Sequence, residues 1–497
     1  MSTSLNSTAI NSTNSAPYLT SDRTELAPLC NAQQDTRGLR IVISCMTVFT
    51  VLVSMALATQ LHRGDYQVVP HGSVVSDNGE CSAAGVAVMR KGGSAVDAVI
   101  STLFCLSVVS PHLVGIGGGG YMLVYDQRKR SIVGCLDFQA SLGSSNSSIG
   151  VPGFVAGLYQ AHKSFGKLPW SSLLNAAIEM AGTEFLVSAS LQAAVLRAAD
   201  RKELKDFLLS GHNFQLVSTL QALALNGSDE LYNGSLSSQL TQFVSPEDLA
   251  KYRVLSDNCV ETTVGQYNVA VAGPNSGGQT LLSLLLKINQ TLAGDNPVFT
   301  VASSLRETPA VSKPYSSGVN VVAVDHNDIY VSAVCGLGSV LGSLELTSGG
   351  YVMNNIMAFS STRGGREESR PDTLATPVVA TQAGSACGNR IVMGASDVRD
   401  AAQLLVELLH PVGKPGTDNW LSTVSDYPRA RLLHSEVVLE SDHEPQLAEH
   451  QVAELRALNL TVTSSLEPYP SLNIIHKFGD TVTAVADSRG GGAPASF

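Results

Sequence analysis

Two adjacent serines, Ser316 and Ser317, stand directly before an apolar run that begins at Val319. A serine hydroxyl becomes a nucleophile when a neighbouring base or a free α-amine takes its proton. A serine-rich turn in front of a β-strand is the commoner explanation of the same pattern. The chain contains no G-x-S-x-G turn, so a serine hydrolase of the α/β-hydrolase kind is not supported. Ser316 is therefore a candidate nucleophile whose chemistry depends on the elements around it.

The sequence does not contain the motifs that are typical of metal, redox, nucleotide or nucleic-acid binding sites. His434, His443 and His450 lie in polar stretches without ligand spacing. The glycine run at residues 115–120 follows a helix and precedes a strand, the reverse of the order in a phosphate loop. A net charge of −11 with only 15% charged residues gives no basic surface for nucleic acid. We predict no cofactor, no metal and no nucleic-acid partner.

The elements that must position Ser316 alternate between helices and strands. Residues 95–109 form an apolar run that Ser94 can cap, which predicts a buried helix. The glycine run then leads into a strand. Two strands follow Ser316, an amphipathic helix begins near Asp397, and TVTAVADSR is predicted as the last strand. Residues 289–315 are polar and without period, so we expect a linker there. This order favours an α+β layered architecture.

An uncharged apolar segment, residues 41–61, is long enough to cross a membrane as a helix. A cleaved signal peptide is the alternative, but such segments are shorter and nearer the start. Arg23, Arg37 and Arg40 precede the segment and only Arg63 follows closely. We therefore predict a single-pass type II protein with a disordered cytoplasmic tail at residues 1–40 and an extracellular or lumenal ectodomain.

N-glycosylation sequons agree with that orientation. They lie beyond the apolar segment at Asn146, Asn226, Asn233, Asn289 and Asn459. Asn6 and Asn11 also lie in sequons, which fits the opposite topology. The cysteines of the predicted ectodomain form no C-x-x-C pair; disulfides are expected in that compartment, and buried free thiols are the alternative for several.

Several segments of the ectodomain resemble the gamma-glutamyltransferase (glutathione hydrolase) family, and in particular its divergent membrane-anchored members. They are GGSAVDAVISTLFCLSVVSPHLVGIGGGGYMLVYD, GVPGFVAGLYQAHKSFGKLPW, LYNGSLSSQL, PEDLAKYR and the terminal ADSRGGGAPASF. The matches occur in the family's order across residues 66–497. The resemblance implies a four-layer αββα sandwich of the N-terminal-nucleophile hydrolase type. It also implies a disulfide between Cys81 and Cys105, which the family commonly forms.

The activity that the resemblance implies is transfer of the γ-glutamyl group of glutathione to water or to an amino acid. In the family the proenzyme cuts itself before a threonine, whose hydroxyl is then the nucleophile. Ser316 takes that place here, so cleavage would divide the ectodomain into a large part, residues 62–315, and a small part, residues 316–497. The two parts are expected to remain together as a heterodimer.

The positions that hold glutamate in the family are changed in this chain. Gln139 replaces the arginine that grips the α-carboxylate, and Ala140 replaces the glutamate beside it. Asn355 is expected at a substrate-binding position, but the acidic residues that bind the α-amine beside it have become Ile356 and Ala358. An amine facing these apolar side chains would have no partner.

The remaining family positions are changed as well. Thr376 is the one hydroxyl expected to survive from a serine pair that contacts the carboxylate. Asp397 and Val398 replace two glycines whose amides form the oxyanion hole, and a carboxylate there has the wrong sign. Two interpretations remain: a membrane-anchored glutathione hydrolase with weakened activity, or a catalytically inactive member of the family with a binding or assembly role.

Overall fold

The structure is a computed structural model, and it describes most of the chain. The described residues are 36–63, 71–143, 147–198, 201–256, 259–291, 297–306, 317–359, 370–409, 420–433, 436–441, 446–465 and 469–497. Ser316, Asn146, Asn6, Asn11, His434, His443 and the first 35 residues of the predicted tail lie outside them. The chain divides into two units, residues 1–67 and Val68–Phe497.

The first unit contains one long helix, α1 (Thr36–Arg63). Its residues Gly38–Thr59 have a mean hydropathy of 2.4, so by length and composition they are able to cross a membrane. The helix begins five residues before the predicted boundary at residue 41. Helical hydrogen bonding does not stop where the apolar composition stops, which is why the polar flank is included.

The second unit contains the remaining helices and all the strands of the described chain. Its α-helices are α2 (Gly79–Arg90), α3 (Ala95–Val109), α4 (Phe154–Phe165), α5 (Trp170–Gly182), α6 (Ala189–Arg197), α7 (Lys202–Leu208), α8 (Phe214–Asn226), α9 (Asp229–Tyr232), α10 (Pro246–Lys251), α11 (Gly278–Thr291), α12 (Pro297–Leu305), α13 (Val398–Leu409), α14 (Trp420–Ser425) and α15 (Glu449–Ala457). Short 3₁₀ turns occupy Ser235–Gln239, Ile356–Phe359 and Ser488–Gly490.

The strands form two large sheets and one small sheet. They are β1 (Ser73–Ser76), β2 (Gly119–Asp126), β3 (Ser131–Asp137), β4 (Leu255–Ser256), β5 (Val260–Val264), β6 (Tyr267–Val271), β7 (Ser317–Val324), β8 (Ile329–Gly338), β9 (Thr376–Gln382), β10 (Arg390–Ala395), β11 (Ala430–Leu433), β12 (Glu436–Glu440), β13 (Thr461–Ser465), β14 (Ile474–Phe478), β15 (Thr481–Val485) and β16 (Ala493–Ser496). The first sheet has the order β16-β1-β7-β8-β2-β3-β4, the second β15-β14-β10-β9-β6-β5, and the third β11-β12-β13.

Three hydrophobic cores separate four layers. Val322, Tyr330 and Val379 belong to the core between the two large sheets. A second core packs α2, α3, α4, α5 and α8 on the outer face of the first sheet. A third packs α11, α12 and α13 on the outer face of the second sheet. Both large sheets contain strands from before and after residue 316, interleaved in the first sheet, so the two predicted parts of the ectodomain form one intertwined unit.

The buried helix α3 is fixed at its start by a capping box. The Asp97 amide donates to Ser94 Oγ, while Asp97 Oδ2 accepts the Ser94 amide at 3.0 Å. The same oxygen accepts the amides of Lys167 and Leu168 at 2.8 and 3.2 Å. The Asp97 carboxylate therefore caps the N-terminus of α3 and also holds the Lys-Leu-Pro-Trp segment against this helix.

Two disulfides join distant parts of the second unit. Cys81 in α2 is bonded to Cys105 in α3, with Cα atoms 5.4 Å apart. Cys135 in β3 is bonded to Cys259, which lies just before β5, across a sequence separation of 124. The second bond ties one large sheet to the other, and no sequence spacing indicated it. Cys335 is a buried free thiol.

Two elements differ from the sequence prediction. The expected linker contains α12, whose buried residues Val298, Val301, Ala302 and Leu305 follow a helical period that we overlooked. The segment TVTAVADSR is a strand only over Thr481–Val485, β15, and the last strand of the described chain is β16. Its sequence, APAS, has little strand propensity and becomes a strand because it pairs with β1, Ser73 opposite Ser496.

Candidate functional site

The predicted site residues come together where the strands of both large sheets end. In the first sheet Asp137 ends β3 and Ser317 begins β7, next to the undescribed Ser316. In the second sheet Thr376 begins β9 and lies opposite Ala395, the last residue of β10. Tyr121, at the start of β2, joins the two edges. Its hydroxyl donates to the carbonyl of Asn275, beyond β6, at 2.8 Å.

The carboxylate position of the family is closed by an arginine from another segment. Gln139 is 4% exposed, and its backbone carbonyl oxygen accepts hydrogen bonds from Tyr252 Oη at 2.9 Å and from Arg370 Nη1. The Arg370 side chain is 2% exposed. Its Nη2 donates to the carbonyl of Arg253, and its Nε lies 3.6 Å from Asp137 Oδ1. This guanidinium is held by the protein's own backbone and carboxylate, so it is not presented to a ligand.

Of the two substitutions expected to abolish amine binding, Ile356 and Ala358, only Ile356 lies in a buried apolar cluster. Ala140, Ile356 and Met357 form a small buried apolar cluster, with Leu142 packed against it. A charged amine placed there would lose its hydration without gaining an acceptor. Ala358 is exposed and lies outside this cluster.

The two asparagines near this cluster hold loops. Asn354 Nδ2 donates to the carbonyls of Gly117 and Gly150, and its Oδ1 accepts the Gly150 amide. Asn355 Nδ2 donates to Ser339 Oγ at 2.6 Å, and its Oδ1 accepts the Ser339 amide at 2.9 Å. We named Asn355 as a substrate-binding position, but its side chain is engaged within the protein.

Thr376 is fully buried, and its hydroxyl donates to the carbonyl of Pro377 at 3.1 Å. The hydroxyl at the site edge belongs instead to Thr373, whose Oγ1 lies 3.0 Å from Tyr121 Oη. Sequence reasoning missed Thr373, since only the position of β9 shows which hydroxyl reaches the edge.

Asp397 is not the unpaired carboxylate that we expected. It forms an ion pair with Arg399, 2.6 Å between Oδ2 and Nη2, and both side chains are fully buried. Asp397 Oδ1 also accepts the Arg399 Nε–H and amide at 2.8 and 2.9 Å. The Val398 amide donates to the carbonyl of Leu374. The negative charge is thus neutralised, and one of the two amides at the expected oxyanion position is already bonded.

A cavity of about 550 Å³ lies beside Ser317, and Asp77 and His112 are among its lining residues. Asp77 Oδ1 accepts hydrogen bonds from Ser471 Oγ at 2.5 Å and Asn473 Nδ2 at 2.7 Å, while burial raises the pKa of this carboxyl to about 6. Burial lowers the pKa of His112 to about 4, so its ring is neutral at physiological pH. Sequence reasoning named neither residue, because nothing in the local pattern separates them from ordinary loop residues.

The sequon asparagines that the structure describes lie mainly at the surface. Asn226, Asn233 and Asn459 are exposed, and Asn289 is half-buried.

The comparison with solved structures defines the class of fold. A cephalosporin acylase from Bacillus halodurans superposes with a TM-score of 0.73 over 86% of this chain and 96% of that chain, at 18% identity. Identity at that level is informative about fold alone. Together with the two facing sheets and their outer helices, it shows the N-terminal-nucleophile hydrolase fold that the sequence predicted.

Sequence comparison identifies the family. Glutathione hydrolase 7 of Rattus norvegicus is 28% identical over 481 residues, which cover 76% of this chain and 72% of that protein. Glutathione hydrolase 2 of Arabidopsis thaliana is 32% identical over 256 residues, 44% of each chain. The gamma-glutamyltranspeptidase family model matches residues 81–303. In sequence the chain is thus similar to the gamma-glutamyltranspeptidase family.

Proposed function

We propose that this chain is a membrane-anchored family member whose cleavage of the γ-glutamyl bond of glutathione, with transfer to water or amino acids, is strongly weakened. The observation that carries the proposal is the closure of the glutamate-binding region by Arg370 and by the Ala140–Ile356–Met357 cluster. Among the residues that the structure describes there, Arg370 is bonded within the protein and the apolar cluster has no acceptor for the α-amine.

The magnitude follows from the number of contacts that are missing. Each transition-state contact worth about 1.4 kcal/mol changes the rate about tenfold. Loss of the contacts to the α-carboxylate and to the α-amine, together with loss of one oxyanion donor, therefore lowers the turnover rate about a thousandfold if the effects add. The effects of neighbouring groups seldom add fully, so the thousandfold decrease is an order-of-magnitude figure.

Self-cleavage before Ser316 needs no bound glutamate and is a separate property. A processed chain would be a heterodimer of residues 62–315 and 316–497. Since each large sheet contains hydrogen-bonded strands of both parts, the two products would stay associated after cleavage. Denaturing electrophoresis of cell-made protein tests this directly, because it separates one chain from two.

The proposed topology is type II, with α1 in the membrane and the second unit outside the cell or in the lumen. The exposed asparagines at three of the sequons are compatible with glycan attachment. The pairing of Cys81 with Cys105 and of Cys135 with Cys259 is also compatible with an oxidising compartment.

The decisive experiment measures γ-glutamyl release from glutathione by purified, cell-made protein, beside an active glutathione hydrolase. Ser316→Ala removes the candidate nucleophile, and Ser283→Ala, an exposed serine on α11, is the matched control. We expect slow release that Ser316→Ala abolishes and Ser283→Ala preserves. Release at the rate of the active enzyme, lost only in Ser316→Ala, would contradict the weakened activity.

The second candidate is a catalytically inactive protein with a binding or assembly role. It is favoured by the full engagement of Asp397 and the Val398 amide, which leaves the expected oxyanion position without one donor. Release equal to the uncatalysed rate and unchanged by Ser316→Ala would select this candidate over the first.

A further inference from the structure

The cavity beside Ser317 continues into a second groove, which leucines line together with Glu184, Gln192 and Ser210. Leu186 lines both the 550 Å³ cavity and a neighbouring groove of about 700 Å³. It is 93% exposed, and Leu196 and Leu209 of the groove are exposed as well. These three leucines give one side of the groove an apolar surface that an apolar ligand could cover.

A cation stands between the two spaces. Arg197, on the last turn of α6, lines the cavity, while the preceding Leu196 lines the groove. Arg197 is exposed and forms no ion pair with any residue that the structure describes. Of the other arginines that line the cavity, Arg489 is paired with Glu440 at 2.6 Å, and Arg431 is stacked over the Tyr469 ring at 4.1 Å.

His112 supplies a second indication of a ligand. Its side chain is 2% exposed and belongs to the cavity lining. Neither of its ring nitrogens has a hydrogen-bond partner among the described residues. A buried polar group without a partner is costly, and a ligand is one way in which such a group is satisfied.

The acidic side of the cavity disfavours an anion close to it. Asp77 follows β1, where Ser471 and Asn473 donate to it. The carboxylate of a ligand is therefore repelled by Asp77 and attracted by Arg197. The apolar part of the same ligand can contact the leucines of the groove.

We propose that the cavity and groove bind an amphipathic carboxylate with a long apolar chain, such as a fatty-acyl anion. Its carboxylate lies at Arg197, and its chain follows Leu186 into the groove between Leu196 and Leu209. Each of the two volumes is within the range of small-molecule sites. This site is separate from the closed glutamate-binding region around Gln139, and its occupation requires no catalysis.

The test uses the full chain in lipid nanodiscs and dodecanoate carrying a photoreactive diazirine. After irradiation, mass spectrometry locates the labelled peptides. We expect label within residues 184–211, displaced by excess unlabelled dodecanoate. Arg197→Gln should lower this labelling about tenfold, as expected for loss of one charge-assisted hydrogen bond. Arg201→Gln, which removes a nearby exposed arginine paired with Glu345, should leave it unchanged.

The chain-binding half of the proposal is tested by Leu186→Asp, which should also lower labelling because it places a charge on the apolar path. Label confined to α1, equal loss in Arg197→Gln and Arg201→Gln, or displacement by dodecanoate methyl ester as effective as by dodecanoate would each overturn the proposal. These outcomes do not depend on γ-glutamyl release.

Discussion

Breaking the buried ion pair of Asp397 and Arg399 should destabilise the protein strongly without activating it. Both side chains are fully buried, and three hydrogen bonds join them. Removing one partner of such a pair costs about 3–5 kcal/mol, because the other charge stays buried without its partner. Arg399→Met should therefore lower the free energy of unfolding by about 3–5 kcal/mol.

Removing the other partner, in Asp397→Asn, should lower the free energy of unfolding less than Arg399→Met does. Asp400 is also buried nearby, and its pKa is raised to about 6 by burial and then by the charge of Asp397. Asp397→Asn removes that repulsion and leaves Asp400 as a counter-charge for Arg399. We therefore expect Arg399→Met to be the more damaging variant, and the double variant to show a coupling energy of more than about 1 kcal/mol.

Urea unfolding of the purified protein at neutral pH measures these differences as shifts of the midpoint. The same preparations are assayed for γ-glutamyl release, which should not rise in Asp397→Asn, because the Val398 amide still donates to Leu374. An Arg399→Met protein within about 0.5 kcal/mol of the unmodified one would refute the energetic reasoning. A tenfold gain of release in Asp397→Asn would refute the claim that the charge of Asp397 is already neutralised.

Three further predictions concern stability and topology. The pKa of His112 is lowered from 6.5 to about 4 in the folded protein. As the pH falls from 6.5 toward 4, the unfolded chain therefore binds a proton before the folded protein does, and the free energy of unfolding decreases by up to about 3 kcal/mol. His112→Asn should remove this part of the pH profile of urea unfolding, and an unchanged profile would contradict the prediction. Replacing Cys135 and Cys259 together by alanine should cost about 2–5 kcal/mol of unfolding free energy; a thermal midpoint equal to that of the unmodified protein would show that the bond is not formed. Enzymatic deglycosylation of cell-made protein should lower its apparent mass, and Asn226→Gln with Asn459→Gln should reduce that shift; no change of mass on deglycosylation would argue against the type II orientation.

The local features of this chain could be predicted from its sequence. The charge-free run of α1, the Ser94 cap of α3 and the strands around residue 316 depend on neighbours within a few positions, so composition and period reveal them. The period of α12 was equally visible and was overlooked because polar residues surround it. The motifs quoted from the ectodomain were sufficient to predict the family and its fold.

Contacts between residues far apart in sequence were decided only by the tertiary structure. Arg370 reaches Gln139 across 231 positions, and Cys135 reaches Cys259 across 124. The local sequence does not indicate such pairs, since neither partner stands out from the residues around it in the chain. The sequence by itself predicted that the positions expected to bind glutamate are changed. Only the folded chain decided what fills their place, because burial and charge pairing depend on which strand edges meet.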